Sequence, residues 1–346
     1  MRQLARLILI FILVAIFLIG LSKSFYHTLG LAGYLPDDYK YGDLYRFTNL
    51  VQFKQAHVTC PKLYPTGAPK ASIALYAIGD SFMEPGSVDS SDFIAQRYSY
   101  THWNDQKTVR LDTSLHNVLL IESVERHFRE HLATLITNLS IVQSSVPNTH
   151  ASVPTNDLVA FLEGTHDSRL KVPEERYDNV LFNWPVFLRL KEFKAWLNLH
   201  LFDRTHAMTS LSPDRKHVFL NLDTDSTLIN SNFNSVSEEE ITKLITHLNE
   251  SYDNYHSLGF DEIYLSIIPN KTTVTAPEMG PYNHLIERIQ SDTRLKVKII
   301  DAYSLVKPLG AEGYQKGDSH WTCQSRDLWL RAINEQLAKS RIPSIP

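Results

Sequence analysis

Two short segments at opposite ends of the sequence carry residue types that can do nucleophilic chemistry. The first is Ile78-Gly79-Asp80-Ser81-Phe82, which directly follows the apolar run Ile73-Ala-Leu-Tyr-Ala-Ile78. A serine hydroxyl is inert until a base takes its proton, so Ser81 demands an imidazole and an acid behind it. The second segment, Gly317-Asp318-Ser319-His320-Trp321-Thr322, supplies both. An aspartate two residues ahead of a histidine in a loop can hold Nδ1 and leave Nε2 to face the serine. The reading is Ser81 as nucleophile, His320 as base and Asp318 as orienter, with the Ser81 N–H free to hold an oxyanion. Each segment also has an ordinary use: Gly-Asp-Ser is turn chemistry, and Asp-Ser-His before a helix is a cap.

These groups need a frame that brings the two ends of the chain together. Short apolar runs at Ile73–Ile78, Val118–Ile121, Val180–Phe182, Val218–Leu220, Ile263–Ile268 and Val297–Ile300 read as strands buried on both faces. Helical stretches stand beside them, the clearest from Glu238 to Leu258. There Ser235 or Ser237 caps, Glu238–Glu240 sit on the positive dipole end and Gly259 stops the helix. Others are expected from Glu122 towards Leu139, after Pro281, and from Gln324 to Ala338. Strands alternating with helices define an α/β fold with a mostly parallel sheet flanked by helices. In such a sheet ligands bind at the carboxyl ends of the strands, which sets Ser81, Glu122, Asn183, Asn270 and Asp301 along one rim.

The first residues are the strongest compositional anomaly. Arg2 and Arg6 precede an apolar run from Leu7 to Leu21, with Lys23, Phe25 and Tyr26 behind it. A basic start, an apolar core and an aromatic flank describe a membrane anchor; Ser22-Lys-Ser24 leaves a cleaved secretory signal as the alternative. Either way the remainder lies outside the cytoplasmic membrane, as a periplasmic or extracellular domain on a single-pass protein of the inner membrane. That compartment permits oxidation, so Cys60 and Cys323, the only two cysteines, are either one bridge or two separate thiols. The expected organisation is a cytoplasmic start and anchor at 1–25, a membrane-proximal stalk and cover at 26–70, and a catalytic domain at 71–340 with an insertion at about 140–235. A formal net charge of −4 without a basic run argues against nucleic acid as a partner. His127-Phe-Arg-Glu130-His131 matches the pattern of inverted zinc peptidases, but no partner carboxylate is marked downstream, and neither a metal nor another cofactor is expected.

The serine and Asp-x-His segments together resemble the SGNH (GDSL) hydrolase superfamily. Leu120-Ile-Glu-Ser-Val-Glu-Arg126, Ile268-Pro-Asn-Lys271, Tyr282-Asn283 and Asp318-Ser-His-Trp321 resemble, more narrowly, the SGNH-like domains of the alginate O-acetylation proteins. The likeness runs from Ala71 to Ala338 and is thinnest over Ser140 to Ser235. In the alginate proteins the Asp-x-His segment precedes the serine, whereas here the serine comes first, as in ordinary SGNH enzymes. The resemblance implies a flavodoxin-like three-layer fold and a serine ester intermediate. It further implies an O-acetyltransferase acting on a cell-envelope polysaccharide with a membrane-bound O-acyltransferase as partner, or an esterase removing the same group. Among SGNH enzymes a glycine and an asparagine complete the oxyanion hole; no Gly-x-Asn segment stands out here, and Asn183 and Asn270 are either that donor or turn residues. Arg126 and Lys271 are candidates for an anionic sugar, with a salt-bridge cluster around Glu122-x-x-Glu125-Arg126 as the alternative. Trp321 is a candidate face for a sugar ring, or core. The rival from another class is a polysaccharide-binding or assembly subunit that keeps the fold without turnover.

Overall fold

In the computed structural model, residues 2–21, 46–56, 58–64, 67–142 and 184–340 are described. The chain divides into two compact units, one of residues 1–40, 45–51 and 146–205, the other of residues 41–44, 52–145 and 206–346.

The second unit is built on a five-stranded sheet. Its strands are β1 (Ala71–Gly79), β2 (Ala95–His102), β4 (His116–Val124), β8 (Glu262–Ile268) and β9 (Lys298–Ile299), in the order β2-β1-β4-β8-β9. Every pairing in it is parallel. Four shorter strands lie outside it: β3 (Lys107–Val109) pairs with β5 (Leu139–Ile141), and β6 (Thr209–Leu211) with β7 (Val218–Leu220). β1, β4 and β8 are almost wholly buried, as continuous apolar runs require. After β1 the chain steps to one side for β2 and then to the other for β4. That reversal is a topological switch point, where an open α/β sheet leaves a crevice beyond the strand ends.

Register sorts the side chains onto two faces. Tyr76, Leu119 and Ile263 are in line on one face, where Tyr76 meets Phe260 edge-on. Phe260 in turn meets Tyr255 of the long helix Glu238–Ser257, whose buried stripe is Ile241, Leu244, Ile245 and Leu248. Ser237 caps that helix by accepting from Glu240 N–H, and Gly259, at φ 107°, takes the left-handed conformation that ends it. On the opposite face Glu122 and Ser266 are in register, and Trp329 of the last helix, Cys323–Lys339, donates its indole N–H to Ser266 Oγ at 2.8 Å. The two longest helices of this unit therefore cover opposite faces.

Several expectations are corrected. No helix runs from Glu122 to Leu139: β4 continues to Val124, so Glu122 is a strand residue, and only Glu125–His131 is helical before Leu132. Val218–Leu220 pairs antiparallel with β6 rather than joining the main sheet. β2 was not anticipated, because its alternation rests on Tyr98 and Tyr100 among polar neighbours at the sheet edge. The insertion is narrower than 140–235, since residues 206–235 belong with the sheet, and so do residues 52–70 of the expected stalk. Val180–Phe182 and Asn183 lie outside the described residues.

The first unit contains a 20-residue helix, Arg2–Leu21, on which every residue from Leu7 to Val14 is exposed. Side chains there are described only for residues 2–15 and Phe17, and within the described residues no helix is long and apolar enough to cross a membrane. The unit's other long helix is Pro185–Leu201, which buries Ala195 and Leu199. Asn49 holds it by donating to Glu192 at 2.7 Å.

Candidate active site

The turn after β1 is set by its own side chains. Asp80 Oδ1 accepts from Phe82 N–H (3.2 Å), and Met83 N–H closes on the Asp80 carbonyl (3.0 Å), which throws Ser81 out at the tip. Asp80 Oδ2 reaches across to accept from Val124 N–H at 2.8 Å, tying the turn to the end of β4. From β2 the Tyr100 hydroxyl donates across the Gly79 and Asp80 carbonyls (3.2 and 3.1 Å), and Trp103 N–H bonds Gly79 O (3.2 Å). Gly79 answers a close approach: a Cβ there would stand 2.7 Å from Glu122 Oε2. Among the described residues the Ser81 N–H makes no hydrogen bond, which leaves it available to an oxyanion.

The partner loop precedes the last helix. Tyr314 and Trp321 form an antiparallel bridge, and Gln315 N–H bonds His320 O at 3.1 Å, so residues 315–320 make a closed loop. Asp318 Oδ1 accepts both the His320 backbone N–H (2.8 Å) and Nδ1–H (2.6 Å), which fixes the imidazole by two bonds from one carboxylate. Nε2 is then directed at Ser81 and accepts from its Oγ at 2.8 Å, across a sequence separation of 239 residues. The Phe82 ring lies 4.8 Å from the His320 ring and 4.9 Å from Trp321. Burial pushes the Asp318 carboxyl up, but its bond and charge interaction with His320, and the Lys271 charge, hold it below the usual carboxylate range. The arrangement is an ordered Ser–His–Asp relay at the sheet's switch point, with the geometry of general-base activation of a hydroxyl.

The other sequence-derived candidates are placed differently. Lys271 is 1% exposed, and its ammonium donates to the carbonyls of Val218 (2.8 Å), Lys316 (2.9 Å) and Asp318 (3.0 Å), so it braces the triad loop instead of facing an anionic ligand. Arg126 is likewise buried, paired with Asp223 at 3.2 Å and not with Glu122 or Glu125. Asn270 is fully buried: its Oδ1 accepts from Arg126 N–H (3.0 Å), and its Nδ2 is enclosed without a partner. Glu125 accepts from Asn270 N–H (2.9 Å) and the Thr273 hydroxyl (2.6 Å); burial, outweighing those two bonds, pushes its carboxyl up to about 7. Trp321 is buried between Phe82 and Trp329 rather than offered as a platform. Cys60 and Cys323 are joined as a disulfide, with Cα atoms 5.3 Å apart, at the first residue of the helix that follows the triad loop.

The zinc-like pair is otherwise engaged. His131 accepts or donates through Nδ1 at Ser123 Oγ (2.8 Å) and stacks on Trp103, while His127 pairs with Glu130 at 2.9 Å. Burial first, then the neighbouring His127, lowers His131 to about 3. Among the described residues no group of three or more histidine, cysteine, aspartate or glutamate side chains is placed to hold a metal ion. The residues that sequence reasoning missed are the supports Tyr100 and Trp103; Glu122, expected at the rim, lies buried behind the turn and accepts from Asp80 N–H. The period-two spacing of Tyr98 and Tyr100 was the one signal that pointed to them. Comparison with family models, with curated proteins and with solved structures finds no match.

Proposed function

We propose that this chain is a membrane-anchored SGNH-type serine O-acyltransferase that moves a small acyl group, acetyl being the reading, onto a hydroxyl of a cell-envelope polysaccharide. The observation that carries it is the Ser81–His320–Asp318 relay with an unbonded Ser81 N–H beside it. In the first half-reaction His320 Nε2 takes the Ser81 proton as Oγ attacks the acyl carbonyl, and the Ser81 N–H holds the oxyanion. The imidazolium then gives that proton to the departing oxygen, leaving an acyl-serine. In the second, an acceptor hydroxyl gives its proton to Nε2 and attacks the acyl carbon; collapse returns the proton to Ser81 Oγ. Asp318 stays ionised throughout and stabilises the charged imidazole.

The anchor is supported by the basic start and apolar run of the sequence at residues 2–21, and export by the Cys60–Cys323 disulfide. A catalytic domain held at the outer face of a bilayer suits a membrane-bound O-acyltransferase as donor, and this favours transfer over hydrolysis. The full chain in detergent is to be incubated with a chromogenic acetyl ester, with and without polysaccharide. Ser81→Ala is expected to lower turnover by about 10⁴-fold with the fold intact. Acetylated polymer identifies the transferase, and free acetate alone identifies the esterase. Unchanged turnover in Ser81→Ala rejects both and leaves a binding subunit.

A further inference from the structure

We propose that Glu122 is a positioning residue for the nucleophile, its carboxyl fixing the turn that aims Ser81 at His320. The inference rests on the acyl-transfer reading of Ser81. Glu122 lies inside β4, two residues before the strand ends, where the neighbours Leu119, Leu120 and Ile121 show what packing alone selects. Its side chain is fully buried, and among the described residues no lysine, arginine or histidine pairs with it. A lone acid in a strand core is destabilising unless something else retains it.

The geometry shows what retains it. Glu122 Oε2 accepts from Asp80 N–H at 2.9 Å, and Gly79 forgoes a side chain at the one place where a Cβ would press to 2.7 Å of that oxygen. Asp80 in turn captures Phe82 N–H and Val124 N–H. Along the turn the N–H of residue 80 is thus taken by Glu122 and that of residue 82 by Asp80. The Ser81 N–H alone is left pointing at the reacting centre. Burial first, then the facing Asp80 charge, raises the Glu122 pKa well above the carboxylate range. Glu122 is therefore a neutral acid whose Oε2 accepts from Asp80 N–H, while its Oε1 is enclosed without a partner among the described residues.

The test is made on the full chain by following the rate of covalent labelling of Ser81 with a fluorophosphonate, read by mass spectrometry, together with kcat and KM on the acetyl ester. Glu122→Gln still presents a carbonyl oxygen to Asp80 N–H without adding a charge, so it is expected to stay within about threefold of wild type. Glu122→Leu keeps the volume and removes the bond to Asp80 N–H; kcat and the labelling rate are expected to fall by about 10²-fold with KM within about twofold, the signature of a misaimed nucleophile. Because that variant can fail to fold, Gly79→Ala serves as the second probe: its methyl displaces the Glu122 carboxyl, and the same loss of kcat is expected. Folded Glu122→Leu or Gly79→Ala protein labelled at the wild-type rate overturns the proposal, as does Glu122→Gln losing as much as Glu122→Leu. No labelling of Ser81 in the wild type overturns the acyl-transfer reading itself.

Discussion

Replacing Lys271 by methionine isolates the brace behind the triad loop from the triad itself. The ammonium has three N–H groups and is surrounded by three backbone carbonyls at 2.8, 2.9 and 3.0 Å, with the Phe219 ring centroid 5.5 Å away. Hydrogen bonds from a charged donor net about 1.5–3 kcal/mol each, and desolvating the ammonium offsets several kcal/mol of that sum. Methionine removes the gain and the desolvation together but takes this donor from the Val218 and Asp318 carbonyls, the Lys316 carbonyl keeping its bond from Val218 N–H, so a net loss of about 3–5 kcal/mol is expected. For a unit of this size that corresponds to a fall in Tm of roughly 6–20 °C. Urea unfolding of the full chain followed by circular dichroism measures it. A second readout separates brace from bulk packing: burial first, and the Lys271 charge second, hold His217 down at about 4. In Lys271→Met, proton NMR is expected to show that imidazole titrating higher. A stability change under about 1 kcal/mol, the ordinary effect of a surface substitution, refutes the reasoning.

Two other consequences follow from buried groups and from the covalent link. Glu125 titrates at about 7 in the folded chain against 4.5 for its unperturbed carboxyl, so the folded state holds the extra proton between those values. Its contribution is fully present below pH 4.5 and is lost as pH rises through 7, about 3 kcal/mol in all. Denaturation midpoints from pH 4 to pH 9 are expected to lose that descending component in Glu125→Gln, and an unchanged slope contradicts the assignment. The Cys60–Cys323 bridge spans a separation of 263 residues, and Cys60→Ser with Cys323→Ser is expected to cost about 3–5 kcal/mol by freeing the unfolded chain. Calorimetry with and without reductant measures it; identical Tm values count against a stabilising role.

What could be read from the sequence was whatever carries its own period or its own chemistry. The apolar runs of β1, β4 and β8 announce strands buried on both faces, and Ser237, Glu238–Glu240 and Gly259 mark both ends of the long helix. Ser81, Asp318 and His320 were legible for a different reason: each is useless alone, and the chemistry of one demands the others. Arg126 and Lys271 were misread because a cation's sequence neighbours do not say whether it faces solvent or a ring of carbonyls. The carbonyls that Lys271 meets come from Val218, Lys316 and Asp318, none of them its sequence neighbour.

Glu122 is the sharpest case. Reading Val118–Ile121 as a strand and Glu122 as the start of a helix was the natural inference, because a carboxylate at a helix N-terminus is stabilised by the dipole while one in a strand core is penalised. The strand wins because the acid has a partner that local rules cannot supply: the Asp80 N–H, 42 residues away and positioned only after β1 and β4 have paired. A local rule broken this way at the switch point of the sheet marks a position that packing alone does not explain. The same argument explains why Gly79 lacks a side chain although Ile78 beside it is large and buried. The strand gives up packing where the acid enters, two residues before Ser81.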